Sequence, residues 1–90
     1  MTQPNAIWED FPELNWSNRQ APDEAWIACA LLRPRLIRLI RIAREFGIER
    51  LERQWEDLKL HGDPVEVQRA TQTTERMLAN IKQGFSDAAA

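Results

Sequence analysis

The segment that begins at Asp63 constrains the fold most. Asp63-Pro64-Val65-Glu66 has an aspartate at the N-cap position, a proline at the first helical position and a glutamate at the third. Beyond it, apolar residues and threonines recur every three or four positions, at Val67, Thr71, Thr74, Leu78, Ile81 and Phe85. This spacing predicts one long helix with a single seam. No segment shows the alternation of a strand, so the chain is predicted to be all-α.

Two further helices are predicted on either side of Pro34. Pro22 suits a helix start, and the helix that follows it should run to about Leu32. Pro34 carries no N–H, so this helix either ends there or kinks and continues. Residues 35–46 are predicted to be helical in both cases. Their core face should contain Leu36, Leu39, Ile40, Ala43 and Phe46, with Ile37 and Ile42 widening the apolar arc.

Glycines mark the remaining helix ends. Gly47 should end the helix at 35–46, and a third helix should run from about Glu49 to His61, next to Gly62. Gly84 should cap the last helix. The predicted fold is a small bundle of three to four helices with an extended N-terminal arm. Its parts are an acidic and aromatic arm at 1–21, a helical bundle at 22–85 and a frayed tail at 86–90.

The arm is unusually aromatic. Residues 1–21 show no helical period, yet they place Trp8, Phe11 and Trp16 among several acids. Disordered tails are normally poor in aromatic residues, so the arm is predicted to dock on something. Either it folds back to cover Ile37 or Ile42, with its acids against the arginines of the bundle, or its aromatic residues anchor a partner.

Five arginines and no acid stand between Arg33 and Arg44, in a chain with a net charge of −2. Arg38 and Arg41 are predicted to point away from the core, and the other arginines flank the apolar arc. The face is either solvated and paired with the protein's own acids or a docking surface for an acidic protein. The predicted partner-binding residues are Arg35, Arg38, Arg41, Arg44, Trp8, Phe11 and Trp16.

The sequence contains few residues that could form a catalytic, metal-binding or phosphate-binding site. Cys29 and His61 are the only cysteine and histidine, so neither a metal site nor a nucleophile–base pair is predicted. There is no glycine-rich phosphate loop. We therefore expect no enzymatic activity, no catalytic residue and no cofactor. No apolar run reaches the length of a membrane span, and the chain does not begin like a signal peptide. The expected location is the cytoplasm, away from membranes.

A second function class comes from Phe46-Gly47-Ile48, which has the look of the turn in a helix-turn-helix. The helix after it would carry Glu49 and Glu52 where DNA phosphates lie, and phosphate binding favours the opposite charge. Nucleic acid is therefore an unlikely partner. A nucleic-acid-binding regulator is the alternative function, and self-association into a homo-oligomer is left open.

The order of segments within about 22–86 resembles a family of small bacterial proteins encoded beside nucleotidyltransferase-like toxins. The resemblance lies in Ala30-Leu31-Leu32-Arg33-Pro34-Arg35, Glu45-Phe46-Gly47-Ile48-Glu49-Arg50-Leu51, Trp55-Glu56, Arg76-Met77-Leu78-Ala79-Asn80-Ile81 and Gly84-Phe85. It implies an antitoxin that neutralises its toxin partner by direct contact. The nucleotidyltransferase site would hold metal-binding carboxylates, near which an arginine-rich helix is expected to dock.

Overall fold

Pro34 divides the most apolar part of the chain into two helices. The computed structural model describes residues 6–14 and 21–89, and within them four α-helices follow one another without a strand. The helices are α1 (Asp23–Leu32), α2 (Leu36–Phe46), α3 (Ile48–His61) and α4 (Pro64–Ala89). The predicted all-α bundle is confirmed. At Pro34 the first helix ends rather than kinks.

The connection between α1 and α2 is closed by side chains from elsewhere in the fold. Because α1 ends before Pro34, the carbonyls of its last turn lack the N–H donors that a continuing helix would supply. The Leu31 carbonyl accepts a hydrogen bond of 2.6 Å from Oγ1 of Thr74, a fully buried residue of α4. The Arg33 carbonyl accepts one from Nη2 of Arg38 in α2. The end of α1 therefore depends on α2 and α4.

The other two connections are closed locally. Gly47 alone joins α2 to α3, with φ at +92°, a backbone conformation that residues with a Cβ rarely adopt. At the start of α4, Oδ1 of Asp63 accepts from the backbone N–H groups of Val65 at 2.9 Å and Glu66 at 3.3 Å. The predicted N-cap at Asp63 is confirmed.

The core lies where the helices meet, with α1 packed against α2, α3 and α4. Both α3 and α4 bury one face, and the predicted seam of α4 is confirmed, since all of its residues are buried or half-buried. The buried residues from these two helices are Ile48, Leu51, Trp55, Val67, Ala70, Thr74, Leu78 and Ile81. Trp26, Ile27, Ala30 and Leu31 complete this core from α1.

The buried face of α2 differs from the predicted one. Leu39, Ile42 and Ala43 are buried, whereas Leu36 is 44 % exposed and Ile37 is 75 % exposed. At 100° per residue, the centre of the buried face lies about 40° from the predicted position. The prediction that Leu36 belongs to the core is therefore wrong, and Ile42 takes its place.

The last helix is longer than predicted. It continues through Gly84 to Ala89, so the predicted cap at Gly84 and the frayed segment from residue 86 to 89 are wrong. A glycine ends a helix when its φ is positive, and Gly84 keeps a negative φ. Half-buried Phe85 holds this turn on the core, and Gln83 donates to Asp87 one turn later at 3.0 Å. Alanines, the best helix formers, follow.

The described part of the arm folds onto the bundle in two short 3₁₀ helices, at Ala6–Asp10 and Pro12–Leu14. The second contacts α1. Trp8 and Leu14 are buried with the core, as is Ala21, which precedes α1. The arm thus supplies side chains to the same apolar cluster as the helices.

Candidate protein-binding surface

Trp8 anchors the arm to the bundle. Its ring, only 3 % exposed, stacks between the rings of Trp26 and Phe46, with centroids 5.4 and 5.6 Å away. Its Nε1 donates to Oδ1 of Asp23 at 2.8 Å, which satisfies the polar end of the indole. Burial of a side chain of this size contributes roughly 1.5–3 kcal/mol. For Trp8, the fold-back alternative is the one that the structure shows.

Arg41 receives the acidic part of the arm. Its Nη2 donates to Oδ2 of Asp10, and its guanidinium lies over the ring of Phe11, 5.0 Å from the centroid. The predicted meeting of the arm's acids with the arginines is confirmed at this residue. Both charged side chains are about half exposed, so the ion pair itself contributes at most about 1 kcal/mol.

Arg38 does not point into solvent. It is 6 % exposed, so the prediction that it projects away from the core is wrong. The reason is the rotation of α2, which turns Arg38 towards the end of α1. There Nη2 reaches the Arg33 carbonyl, Nη1 lies 3.8 Å from Oε1 of Glu13, and Nε is buried without a described partner. Burial lowers the pKa of Arg38 from its ordinary value. The enclosed side chain offers no free surface to a partner.

Ile37 remains uncovered. The prediction that the arm covers it is wrong for the described residues, because the arm lies against Arg41 and the rings of Trp26 and Phe46 instead. Ile42, the other residue considered for this cover, is buried in the core. The prediction that Trp16 contacts a partner falls on a residue outside the described part of the chain.

These observations define the outer surface of α2, which combines exposed aliphatic and basic side chains. Its residues are Arg33, Arg35, Leu36, Ile37, Arg41 and Arg44. Among the described residues, Arg33, Arg35 and Arg44 make no ion pair, whereas Arg41 is partly occupied by the arm. Arg35 and Arg44 are exposed as predicted. Ile37, Arg41 and Arg44 share one side of the helix at intervals of four and three residues.

The sequence of α2 is compatible with two different buried stripes, and the observed one is as regular as the predicted one. Leu39, Ile42, Ala43 and Phe46 follow the spacing of a buried helical stripe as well as the stripe that begins at Leu36 does. The packing of α2 against α1, α3 and α4 decides which of the two stripes is buried. The exposed pair of aliphatic residues at the start of α2 could therefore not be identified from spacing alone.

The helix-turn-helix alternative gains no support from α3. Glu49, Glu56 and Asp57 are exposed on this helix. Arg50, which would face a phosphate, instead pairs with Glu24 at 3.3 Å and stacks on Phe46 at 4.9 Å from its ring centroid. Anionic phosphates would meet these carboxylates first, so no observation on α3 favours DNA.

A shallow groove of about 520 Å³ lies between α3 and α4. Its charged side chains neutralise one another. Lys59 lies 3.0 Å from Glu56 and 3.1 Å from Glu75, and Lys82 lies 3.3 Å from Glu52. The groove thus lacks the unpaired, converging polar groups that mark a small-molecule site.

Within residues 6–14 and 21–89, no three acidic, histidine or cysteine side chains are grouped to hold a metal ion. Cys29 is half-buried, and burial raises the pKa of its thiol. His61 is exposed at the end of α3. None of the described helices has the length and apolar character needed to cross a bilayer.

Comparison with known proteins returned no match for this chain among protein-family models, curated proteins or solved structures. The surface on α2 is accordingly interpreted from its own chemistry.

Proposed function

We propose that this protein is a non-enzymatic protein-binding module that docks through the outer surface of α2. The observation that carries the proposal is the exposure of Ile37 beside arginines that find no acid in the described fold. Single exposed aliphatic residues are common on monomers. An exposed Leu36–Ile37 pair framed by charge of one sign is a more specific combination, since apolar contact and directed hydrogen bonds are both available to a partner.

A comparison within the chain supports this choice. Leu60 and Val65 are also exposed, near the turn between α3 and α4. Their sequence neighbours carry both signs of charge, with Lys59 on one side and Asp63 and Glu66 on the other. By contrast, the charged residues nearest Leu36 and Ile37 in sequence are all arginines, at positions 33, 35, 38 and 41.

The resemblance of residues 22–86 to antitoxin-like proteins supports a narrower form of the proposal. In that form the partner is a nucleotidyltransferase-type toxin, which this protein neutralises by contact with its arginines. The resemblance is made of helix-packing and capping residues, so the surface chemistry and the partner identity are tested separately.

Site-specific photocrosslinking tests the docking surface. We expect p-benzoylphenylalanine in place of Ile37 to form a defined protein adduct in native-host cells, and the same amino acid in place of Leu60 to form none. Adding Arg35→Glu and Arg44→Glu should abolish the Ile37 adduct. An adduct that forms equally at Leu60, or that survives both charge reversals, would show that the partner binds elsewhere.

Toxin neutralisation has its own test. If a neighbouring gene encodes a nucleotidyltransferase-type toxin, co-expression of this protein should restore growth, and the Arg35→Glu/Arg44→Glu variant should not. Arg69→Glu/Arg76→Glu is the matched control, because it makes the same change in net charge at exposed arginines of α4. Full rescue by the Arg35→Glu/Arg44→Glu variant would contradict neutralisation through α2.

A further inference from the structure

The arm shows how this protein already binds one acidic and aromatic segment. Asp10 and Phe11 are adjacent in sequence, and both contact the Arg41 guanidinium, the carboxylate at its Nη2 and the ring at its face. Guanidinium groups accept this combination because their edge donates hydrogen bonds while their flat face stacks. The intramolecular contact is therefore a template for recognition at this helix.

The arm occupies this surface only at Arg41, between Ile37 and Arg44. Ile37 lies one helical turn before Arg41, and Arg44 lies about one turn after it, so the two are separated by roughly 10 Å along the helix. No acid among the described residues pairs with Arg44 or with Arg35, which precedes the helix. The surface thus continues beyond the arm with the same chemistry and without the acids.

Resting on the proposed function, we infer that the ligand of this surface is an acidic protein segment with an apolar anchor. The anchor packs on Ile37 and Leu36, and carboxylates on either side of it pair with Arg35 and Arg44. The segment lies beside the arm and does not need to displace it, since Ile37 is exposed with the arm in place.

Charge distribution favours a protein segment over a polyanionic surface. Glu9 and Glu13 are exposed on the arm. A membrane of anionic lipids or a nucleic acid would bring continuous negative charge against these carboxylates. A protein segment can place its acids against Arg35 and Arg44 alone, which is the local complementarity that distinguishes partners at interfaces.

Titration of the full-length protein with a designed peptide tests the inference. The probe is a labelled helical peptide of about 15 residues, because shorter isolated helices are marginal in water. One face carries leucines and the flanks carry glutamates. The control peptide has lysine in place of every glutamate. We expect the acidic peptide to bind at least about tenfold more tightly than the basic one.

Two pairs of variants locate the binding. Arg35→Glu/Arg44→Glu should weaken binding of the acidic peptide at least about tenfold, and Arg69→Glu/Arg76→Glu should change it by less than about twofold. Ile37→Ser should weaken binding, whereas Leu60→Ser should not, although Leu60 is 79 % exposed and loses a similar apolar surface. Circular dichroism of each variant verifies that it is folded.

The outcomes separate this inference from the proposed function. Equal binding of the acidic and basic peptides would overturn the inference, even if Ile37 crosslinks a protein in cells. So would weak binding of the acidic peptide alongside tight binding to phosphatidylserine vesicles or to duplex DNA with a steep salt dependence. The acidic peptide could instead bind tightly through Arg44 while Ile37 forms no crosslink in cells. That result would overturn the proposed cellular role and leave the inference in place.

Discussion

The α1–α2 connection contains Pro34, and the α3–α4 connection ends directly before Pro64, but the two connections are closed in different ways. In α3–α4, Asp63 stands directly before Pro64 and caps the first turn of its own helix. In α1–α2, the carbonyls left open by Pro34 are reached by Arg38 and Thr74. The closure at α3–α4 depends on four consecutive residues and can be read from the sequence. The closure at α1–α2 forms only in the assembled fold, so the sequence around Arg38 and Thr74 does not reveal it.

Among the variants that test this difference, charge reversal at Arg38 should have the largest effect on stability. We expect Arg38→Glu to destabilise the protein by at least about 3 kcal/mol, because it buries an acid against the Arg33 carbonyl and near Glu13. Urea denaturation measures the effect. Arg44→Glu, at an exposed position of the same helix, should stay within about 0.5 kcal/mol of the wild type. Similar midpoints for the two variants would mean that Arg38 does not close α1.

Removal of the buried hydroxyl on α4 should have the next largest effect. Thr74→Val keeps the shape of the side chain but leaves the Leu31 carbonyl without its donor, which we expect to cost about 2 kcal/mol. Thr73→Val, exposed on the same helix, is the control and should be nearly neutral. A neutral Thr74→Val variant would show that the carbonyl finds another partner.

Substitutions in the connection between α3 and α4 should destabilise the protein less than those at the end of α1. Asp63→Ala removes the acceptor for two backbone N–H groups at the start of α4 and should cost about 1 kcal/mol. Asp63→Asn, which keeps a side-chain oxygen, should lose less. If Asp63→Ala destabilises more than Thr74→Val, the contrast between local and distant closure is reversed.

The smallest predicted effect is pH-dependent and lies between α3 and α4. Hydrogen bonds from Trp55 and then Lys59 hold the pKa of Glu75 below its ordinary value of 4.5. Protonation is thus easier in the unfolded chain, and the stability from this group is lost as pH falls through the folded-state pKa. Glu75 is exposed, so the change should stay below about 1 kcal/mol.

Acid titration of stability measures this effect. We expect Glu75→Gln to remove this share of the pH dependence, because glutamine still accepts from Trp55 but does not titrate. An unchanged acid profile in the variant would assign the dependence to other carboxylates.

Periodicity and capping residues were sufficient to predict most of the helices. Asp63, Gly47 and the seam of α4 act through neighbours within a few residues, and the structure agrees with each of them. Gly84 is the exception, because a glycine ends a helix only if the chain turns there, and Phe85 keeps the next turn packed.

The candidate surface was predicted in part. Arg35, Arg41 and Arg44 are exposed as their positions suggested. The burial of Arg38 and the exposure of Ile37 depend on the rotation of α2, which follows from its packing against the other helices. Contacts with segments that are distant in sequence have no signature in the local pattern of α2.

The position of Trp8 between Trp26 and Phe46 also bears on how the chain matures during synthesis. Trp8 leaves the ribosome before either wall of its slot. Phe46 follows 38 residues later, so at about 5–20 residues per second it emerges from the ribosome roughly 2–8 s after Trp8. During that interval the nascent chain presents an unpaired indole. The earliest-made aromatic of this cluster can be packed only after the end of α2 has been translated, and chaperones would encounter it first.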